Sequence, residues 1–160
     1  PYLYGLQKGE MIRAAVEKNP AFHLKGKTPA ILISNGTGIA PFLGMIQENR
    51  NCEIDLFWGG RTQASFNIYE PIVTEELSAN KSLKVHTSYS REGKKEYVQD
   101  LIAHKRELLL RTLKNKGTIM ICGSLAMQND VLDTLEVLLK FSSHSLDELQ
   151  HNEQLFMDCY

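Results

Sequence analysis

The sequence has few of the residues that build metal sites, disulfide frameworks and membrane spans. Its 160 residues include only three cysteines, Cys52, Cys122 and Cys159, and none lies in a Cys-x-x-Cys spacing. Neither a disulfide framework nor a zinc site is therefore predicted. The five histidines are scattered, and no apolar run approaches the roughly 20 residues that span a bilayer. We expect no metal, no membrane span and a cytoplasmic location.

A surplus of charge of either sign is also lacking. The 18 lysines and arginines nearly balance the 19 aspartates and glutamates, which leaves a net charge of -1. This balance argues against nucleic acid or an anionic membrane as the main partner, because both attract proteins with a positive surplus. A hydrophobic content of 42% in 160 residues suits one globular domain with a core and a short appendage.

From residue 28 onward, short apolar runs alternate with stretches of helical periodicity. Strands are predicted at residues 29–34, 53–58, 83–87, 118–122 and 155–157, and helices at 39–50, 71–79, 97–113 and 126–141. Alternating strands and helices predict an α/β fold built on a doubly wound parallel sheet. In such sheets, ligands bind at the carboxyl ends of the strands.

The first 27 residues have a different pattern. Residues 8–16 alternate in part like a half-buried strand after a glycine turn, and residues 17–29 carry Pro20, Gly26 and Pro29 among polar residues. This pattern predicts a strand followed by a linker, ahead of the domain that begins at residue 28.

A glycine loop follows the first strand of this domain. Residues 36–41 read Gly-Thr-Gly-Ile-Ala-Pro and open a helix. Glycines allow a tight turn and a close approach of the backbone, and a helix start offers amide groups to an anion such as a diphosphate. These residues are equally compatible with a turn that only joins the strand to the helix, because Pro41 replaces the third glycine of the Gly-x-Gly-x-x-Gly fingerprint. Thr37 is either a phosphate ligand or a helix cap.

The end of the second strand lacks the acid that NAD-selective sites carry. Such sites place Asp or Glu about 20 residues after the loop, where it binds the ribose hydroxyl. Here the strand ends Phe-Trp-Gly-Gly-Arg at residues 57–61. Arg61 is compatible with a phosphate ligand and equally with a surface ion pair.

Five segments, taken in order, resemble the ferredoxin–NADP reductase family and its diflavin subgroup, which includes sulfite reductase flavoprotein. They are residues 34–42 around the glycine loop, residues 57–61, Ser90-Arg91 with Lys-Glu-Tyr-Val-Gln at 95–99, Ile-Cys-Gly at 121–123, and Met-Asp-Cys-Tyr at 157–160. The resemblance implies that residues 28–160 form the Rossmann-like NADP(H)-binding domain of that family. It makes residues 1–27 a remnant of the edge of an FAD-binding barrel, with its linker.

The resemblance also implies which residues bind NADP(H). Ser90, Arg91, Lys95 and Tyr97 would clamp the adenosine 2′-phosphate, because a doubly charged phosphate needs several donors. The same loop also has ordinary surface composition. The full set of implied cofactor-binding residues is Gly36, Thr37, Gly38, Ile39, Ala40, Pro41, Arg61, Ser90, Arg91, Lys95, Tyr97, Gln99 and Gly123.

Three implied catalytic residues come from the last two segments. By resemblance, Cys122 lies beside the nicotinamide, Asp158 orients it, and Tyr160 covers the flavin ring and moves aside for the nicotinamide. The residues alone support plainer interpretations. These are a small packing residue for Cys122, and a solvated tail for Asp158 and Tyr160.

The implied enzyme is an NADPH-dependent flavoprotein oxidoreductase. It passes a hydride from NADPH to FAD and electrons on to a redox acceptor protein, directly or through FMN bound by an upstream domain. The isolated chain is expected to bind FAD poorly and to be inactive. Two alternatives remain open. One is a NAD(P)-linked dehydrogenase acting directly on a small molecule, which needs a proton donor near its substrate. The other is a non-enzymatic NADPH-binding module.

Overall fold

The computed structural model describes residues 5–15, 19–24 and 28–160. Its centre is a five-stranded sheet in which all neighbouring strands run parallel, in the order β3-β2-β1-β4-β5. The strands are β1 (Ala30–Asn35), β2 (Ile54–Gly60), β3 (Leu83–Tyr89), β4 (Thr118–Gly123) and β5 (Leu155–Cys159). Strand addition changes direction after β3, so β1 and β4 lie side by side at a topological switch point.

Helices connect the strands and flank the sheet. Those in the described part of the chain are α1 (Ala40–Glu48), α2 (Glu70–Ala79), α3 (Val98–Ala103), α4 (Arg106–Lys114), α5 (Leu125–Leu139) and α6 (Leu146–His151). Short 3-10 turns at Gly36–Ile39 and Gln63–Ser65 precede α1 and α2. None of these helices combines the length and the apolar character needed to cross a membrane.

Apolar side chains cover both faces of the sheet. On one face, residues such as Ile33 and Ile121 pack against α3 to α6, and on the other Leu32 and Met120 pack against Phe42 of α1. Side chains alternate between the faces of a strand, so strands covered on both faces must be apolar throughout. Burying one such side chain fully contributes about 1.5–3 kcal/mol. The doubly wound α/β fold predicted from the sequence is confirmed.

The single helix predicted over residues 97–113 is wrong. The structure divides it into α3 and α4 at Lys105, whose backbone leaves the helical region with φ -117° and ψ 29°. Residues 98–114 contain neither proline nor glycine, so no local residue indicates the break. Directly after it, the Arg106 side chain donates to the Leu138 carbonyl at 3.0 Å. This contact with the end of α5 depends on tertiary packing.

Helix α6 is absent from the predicted elements, although its start has a local signal. The Ser145 hydroxyl accepts from the Glu148 amide at 3.2 Å, and the Glu148 carboxylate accepts from the Ser145 amide at 2.9 Å. This reciprocal pair is a capping box, which the Ser-x-x-Glu spacing indicates in the sequence.

The segment before residue 28 differs from its prediction. Residues 8–15 are exposed and irregular, so the strand predicted over 8–16 is not present there. A lone strand has no neighbour to pair its amides and carbonyls, which water then satisfies. The predicted linker is partly core, because Phe22 and Leu24 are buried and the Phe22 ring lies 5.9 Å from that of Phe42. Residues 1–4, 16–18 and 25–27, Gly26 among them, lie outside the described residues.

Candidate functional site

A cleft of about 410 Å³ opens at the carboxyl ends of β1, β2 and β3. This volume is in the range of small-molecule sites, about 300–1,000 Å³. Val98 and Met127 give the wall an apolar part, beside several polar side chains. The predicted site residues that line the cleft are Gly36, Thr37, Arg61, Ser90, Tyr97 and Gln99.

The glycine loop leads from β1 directly into α1. Gly36 has φ +52°, in the left-handed region that favours glycine. Gly36 and Thr37 are exposed beside the cleft, whereas Gly38 and Ile39 are buried beneath the loop. A Cβ on Gly38 would collide with the Cys122 backbone, so this glycine allows the loop to approach β4 closely. The amides at a helix start have no acceptor within the helix, which suits an anion.

The last two predicted loop residues and Thr37 have separate roles. Ala40 and Pro41 form the exposed first turn of α1. Thr37 does not cap a helix, because neither the 3-10 turn nor α1 has a side-chain cap. Its hydroxyl instead shares a 2.6 Å hydrogen bond with the hydroxyl of Tyr160. The loop is thereby connected to the end of β5.

Asn35 joins β1 to β4 at the switch point. Its side-chain oxygen accepts from the Ser124 amide at 3.0 Å, and its side-chain nitrogen donates to the Ser124 hydroxyl at 3.0 Å. The same hydroxyl accepts from the Met127 amide at 3.3 Å and so caps α5. These bonds fix the crevice in which doubly wound sheets hold their ligands.

The predicted phosphate clamp is assembled by an extension of the β2–β3 pairing. Beyond the strand ends, the Ser90 amide donates to the Gly60 carbonyl and the Arg91 amide donates to the Arg61 carbonyl, both at 2.9 Å. Arg61, Ser90 and Arg91 therefore lie side by side on neighbouring chain segments. Arg61 and Ser90 line the cleft, and Arg91 is exposed next to its wall.

The loop after β3 that carries Ser90, Arg91, Lys95 and Tyr97, called the clamp loop below, is held in place by two further contacts. The Glu92 carboxylate accepts from the Gln63 amide at 2.7 Å, which ties the loop to the segment after β2. The Lys95 amide donates to the Glu92 carbonyl at 3.1 Å and closes a tight turn. Lys95 is exposed, close in sequence to Tyr97, whose side chain lines the cleft with 57% exposure.

The predicted catalytic residues meet at the carboxyl ends of β4 and β5. Cys122 is in register with Asp158. The Tyr160 amide donates to the Gly123 carbonyl at 2.9 Å, and the Tyr160 carbonyl accepts from the Leu125 amide at 3.3 Å. The exposed Asp158 carboxylate accepts from the Asn19 side chain at 3.1 Å. None of these predicted residues lines the cleft itself, although Thr37, which shares a hydrogen bond with Tyr160, does.

Cys122 and Cys159 occupy opposite faces of the sheet. Cys122 packs with the residues around α1, and Cys159 packs with those around α5. Burial, with smaller contributions from the neighbouring Cys159 and Asp158, raises the pKa of the Cys122 thiol to about 11. Cys122 is therefore a neutral thiol at physiological pH, which excludes a role as a ready nucleophile.

Along one edge of the sheet, these groups follow the strand order. The clamp loop follows β3, Arg61 follows β2, and the glycine loop follows β1. Cys122 is the last residue but one of β4, Asp158 is the last but one of β5, and Tyr160 follows β5. Neighbouring strands are about 4.8 Å apart, so the row spans about 19 Å from β3 to β5. This length suits an extended dinucleotide with a phosphate at one end.

Several residues of the cleft wall were not predicted. They are Asn35, Trp58, Gly59, Gly60, Ser65, Tyr69, Val98, Met127 and Asp130. Asn35 and Trp58 lie inside the segments that carry the resemblance, although they were not assigned to the site. Asp130 lies on α5 and accepts from the Gln99 side chain at 3.0 Å. No pattern near Asp130 indicates this contact, which depends on how α3 packs on α5. Among the described residues, no three His, Cys, Asp or Glu side chains are grouped to hold a metal.

Comparison with known proteins places these motifs in a family. The sequence profile described as oxidoreductase NAD-binding domain matches residues 32–133, which is more than half of the chain. The chain belongs to this family. The part matched to the oxidoreductase NAD-binding domain contains the glycine loop, Arg61, the clamp loop and Cys122. Asp158 and Tyr160 lie beyond it.

Similar proteins include two reductases and a nitric oxide synthase. The chain is 29% identical to the sulfite reductase [NADPH] flavoprotein alpha-component of Photobacterium profundum, over 97% of the chain. It is 35% identical to the NADPH–cytochrome P450 reductase of Drosophila melanogaster over 74% of the chain, and 32% identical to a nitric oxide synthase of Anopheles stephensi over 97%. The resemblance stated from the motifs is confirmed.

The oxidoreductase NAD-binding domain is a small part of each relative. The matched regions cover 28% of the sulfite reductase flavoprotein, 19% of the cytochrome P450 reductase and 14% of the nitric oxide synthase. Most of each relative's length therefore has no counterpart among these 160 residues.

Proposed function

We propose that this chain is the NADP(H)-binding domain of an NADPH-dependent flavoprotein reductase. In this function a hydride passes from NADPH to FAD, and electrons pass on to an acceptor. The observation that carries the proposal is the order of groups along the carboxyl edge of the sheet: a cationic clamp, a glycine loop, then a neutral thiol with an acid and an aromatic ring. The names of the sulfite reductase and cytochrome P450 reductase relatives, which include NADPH, support it.

The donor set of the clamp fits an adenosine 2′-phosphate. Arg91 offers a planar pair of donors, Lys95 a point charge and Ser90 a hydroxyl, which together match a doubly charged group. Arg61 adds a second guanidinium at the cleft wall. The nearby Glu92 carboxylate is already engaged by the Gln63 amide, which lessens its repulsion of a phosphate.

The other parts of the nucleotide match the neighbouring groups. The exposed ring of Tyr97 offers a stacking surface for adenine. The exposed residues Gly36 and Thr37 offer backbone amides to the diphosphate, and α1 offers its dipole. Gly123, next to Cys122, keeps the end of β4 free of a side chain. On the cleft wall, the Gln99 side chain is held by its hydrogen bond to Asp130.

Bound NADPH supplies the hydride and FAD accepts it, so the redox chemistry belongs to the cofactors. The residues of this chain orient and shield the reacting groups. Cys122 would present a neutral thiol to the nicotinamide and so add no charge there. Asp158 would offer a carboxylate on the nicotinamide side. Tyr160, with 69% of its surface exposed, would offer a ring to cover the flavin.

Nucleotide selectivity tests the proposal directly. We predict that the chain binds NADP⁺ more tightly than NAD⁺ in isothermal titration calorimetry. Replacing Arg91 by Ala removes a charged donor to the 2′-phosphate, so it should weaken NADP⁺ binding about 10- to 100-fold. NAD⁺ binding, which involves no 2′-phosphate, should stay nearly unchanged.

A neighbouring lysine provides the matched control. Lys94 is exposed in the same loop and pairs with Glu96 at 3.8 Å. Lys94→Ala removes the same amount of charge from the loop and should change NADP⁺ affinity only slightly. Equal losses for NADP⁺ and NAD⁺ in Arg91→Ala, or equal effects of the two substitutions on NADP⁺, would contradict the clamp.

The proposal extends to the protein in which this domain functions. Residues 1–27 then belong to the edge of an FAD-binding barrel and its linker, and residues 28–160 to the NADP(H)-binding domain. An FAD domain, and in the diflavin arrangement an FMN domain, would pass electrons to a redox acceptor protein. The low cysteine count, three residues without a Cys-x-x-Cys spacing, supports a cytoplasmic location, which cell fractionation with an antibody tests.

A further inference from the structure

The wall of the cleft contains the only tryptophan of the sequence, Trp58. Its ring is fully buried and is enclosed by Phe66, Tyr69 and Tyr89, with centroid distances of 5.0, 6.1 and 6.4 Å. A Cβ on Gly60 would collide with this ring, so the glycine at 60 makes room for the indole on its own strand. The packing leaves the indole a single orientation.

In this orientation the indole nitrogen reaches the glycine loop. The Trp58 Nε1 donates to the Gly36 carbonyl at 2.9 Å. An indole nitrogen is a donor only, and a buried one without an acceptor is costly. The loop and the second strand are therefore coupled through one hydrogen bond.

This bond selects between two orientations of a peptide group. Gly36 begins the 3-10 turn Gly36–Ile39, but it has no side chain to restrict its ψ angle and lies at φ +52°, so its backbone also permits the opposite orientation of the peptide that follows it. In a trans peptide the carbonyl and the next N–H point in opposite directions. Turned over, the group would present a carbonyl oxygen where an anion needs a donor.

We propose that Trp58 is a positioning residue for the diphosphate: its indole N–H holds the Gly36 carbonyl away from the anion and so presents the Thr37 amide to it. The inference rests on the proposed NADP(H) function. It concerns a residue that is not among the predicted cofactor-binding residues and that sets the geometry of the glycine loop. If it is right, changes at Trp58 weaken the binding of ligands that reach the glycine loop and leave unchanged the binding of ligands that reach only the clamp.

An isosteric replacement tests the hydrogen bond alone. Because the chain has one tryptophan, incorporating benzothienylalanine changes only residue 58, and sulfur then replaces the indole N–H within a ring of nearly the same shape. We expect NADP⁺ binding to weaken about five- to tenfold, the effect of one lost hydrogen bond. Binding of adenosine 2′-monophosphate, which has no diphosphate, should be unchanged.

Two variants accompany the isostere. Trp58→Phe should weaken NADP⁺ and spare adenosine 2′-monophosphate in the same way. If it fails to fold, the isostere, which preserves the volume, still decides the question. Tyr89→Phe is the matched control, since Tyr89 packs against the Trp58 ring without contacting its nitrogen, and it should leave NADP⁺ affinity unchanged.

The unsubstituted chain adds a measurement that needs no variant. Its single indole N–H gives one cross-peak in a ¹H–¹⁵N spectrum, and we expect that proton to exchange slowly with solvent. Rapid exchange, or equal NADP⁺ affinity in the isostere and the parent chain, overturns the positioning role alone. If the parent chain binds neither NADP⁺ nor adenosine 2′-monophosphate, the proposed function fails and this inference fails with it.

Discussion

Among individual residues, Cys122 is the one whose chemistry burial changes most. Only 5% of its surface is exposed, and burial raises its pKa to about 11. At pH 8 such a thiol is about one part in a thousand thiolate, whereas an unperturbed cysteine with a pKa near 8.5 is about one quarter thiolate. Iodoacetamide should therefore alkylate Cys122 at least about a hundredfold more slowly in the folded chain than in the unfolded chain.

Peptide mass spectrometry after timed alkylation measures this ratio. The same digest reports Cys159, which is half-buried and lies on the opposite face of the sheet, and so provides an internal comparison. Folded and unfolded rates for Cys122 within tenfold of each other would show that its thiol is accessible and ionised.

A second residue-scale effect is the ion pair between Arg50 and Glu76. The Glu76 carboxylate is buried and accepts from Arg50 Nε and Nη2 at 2.8 and 2.6 Å. These hydrogen bonds lower the pKa of Glu76 even though burial acts in the opposite direction. Because the folded-state pKa is lowered, the pair stabilises the fold fully above the ordinary carboxyl pKa. That stabilisation is lost as pH falls through the lowered value.

Arg50→Gln should therefore lower the melting temperature at pH 7, where it leaves a buried carboxylate without its cation. The difference from the parent chain should shrink at acid pH, where Glu76 takes up a proton in both proteins. Thermal unfolding followed by circular dichroism between pH 3 and pH 7 checks this, with pH values set around the ordinary carboxyl pKa of about 4.3. Glu76→Gln is the control, and a difference independent of pH would contradict the assignment.

At the scale of elements, the segment from the glycine loop into α1 contains two glycines with opposite roles. Gly38 lies under the loop, where a Cβ would collide with the backbone of Cys122, while Gly44 is exposed in α1 with nothing within 4 Å of a Cβ. Gly38→Ala forces the loop away from β4 and should destabilise the fold by about 1–3 kcal/mol. Gly44→Ala should stabilise it by about 0.5–1 kcal/mol.

Urea unfolding measures both changes, and NADP⁺ titration adds a functional comparison. Gly38→Ala should also weaken NADP⁺ binding, because the loop is displaced, whereas Gly44→Ala should preserve it. Similar stabilities for the two variants would mean that the loop does not depend on its close approach to β4.

The elements also show which parts of the structure can be read from the sequence. β1, β2 and β4 are predominantly apolar because both faces are covered, so the sequence predicts them clearly. The break between α3 and α4 was missed because it depends on a contact of Arg106 with the end of α5. The glycine loop and the clamp loop could be predicted because each is a contiguous motif. Asp130 was missed for the same reason as the helix break, because it reaches the cleft from a distant helix.

At the scale of the whole molecule, the chain corresponds to a small part of the relatives that it matches. Its matched regions cover at most 28% of the three relatives described above. The described residues form a nucleotide-binding sheet, and residues 8–15 form no strand. We predict that the purified 160-residue chain binds NADP⁺, retains no flavin absorbance and does not reduce a dye with NADPH.

Fusing an FAD-binding barrel of a relative ahead of the chain is the corresponding positive experiment. Flavin absorbance and NADPH-dependent dye reduction should then appear together, and Arg91→Ala should lower the turnover at limiting NADPH. Tight flavin binding by the 160-residue chain alone would contradict the prediction that flavin binding requires the FAD-binding barrel.

The bonding of Tyr160 has a practical consequence for how such experiments are built. Its amide and carbonyl are both held, by Gly123 and Leu125, and its hydroxyl meets Thr37 on the glycine loop. An affinity tag or fluorescent fusion attached after Tyr160 would start at a residue that bonds Thr37 of the glycine loop, the proposed diphosphate site. Tags belong at the other end of the chain, and a carboxy-terminal tag that impaired binding would report steric obstruction instead of a defect in recognition.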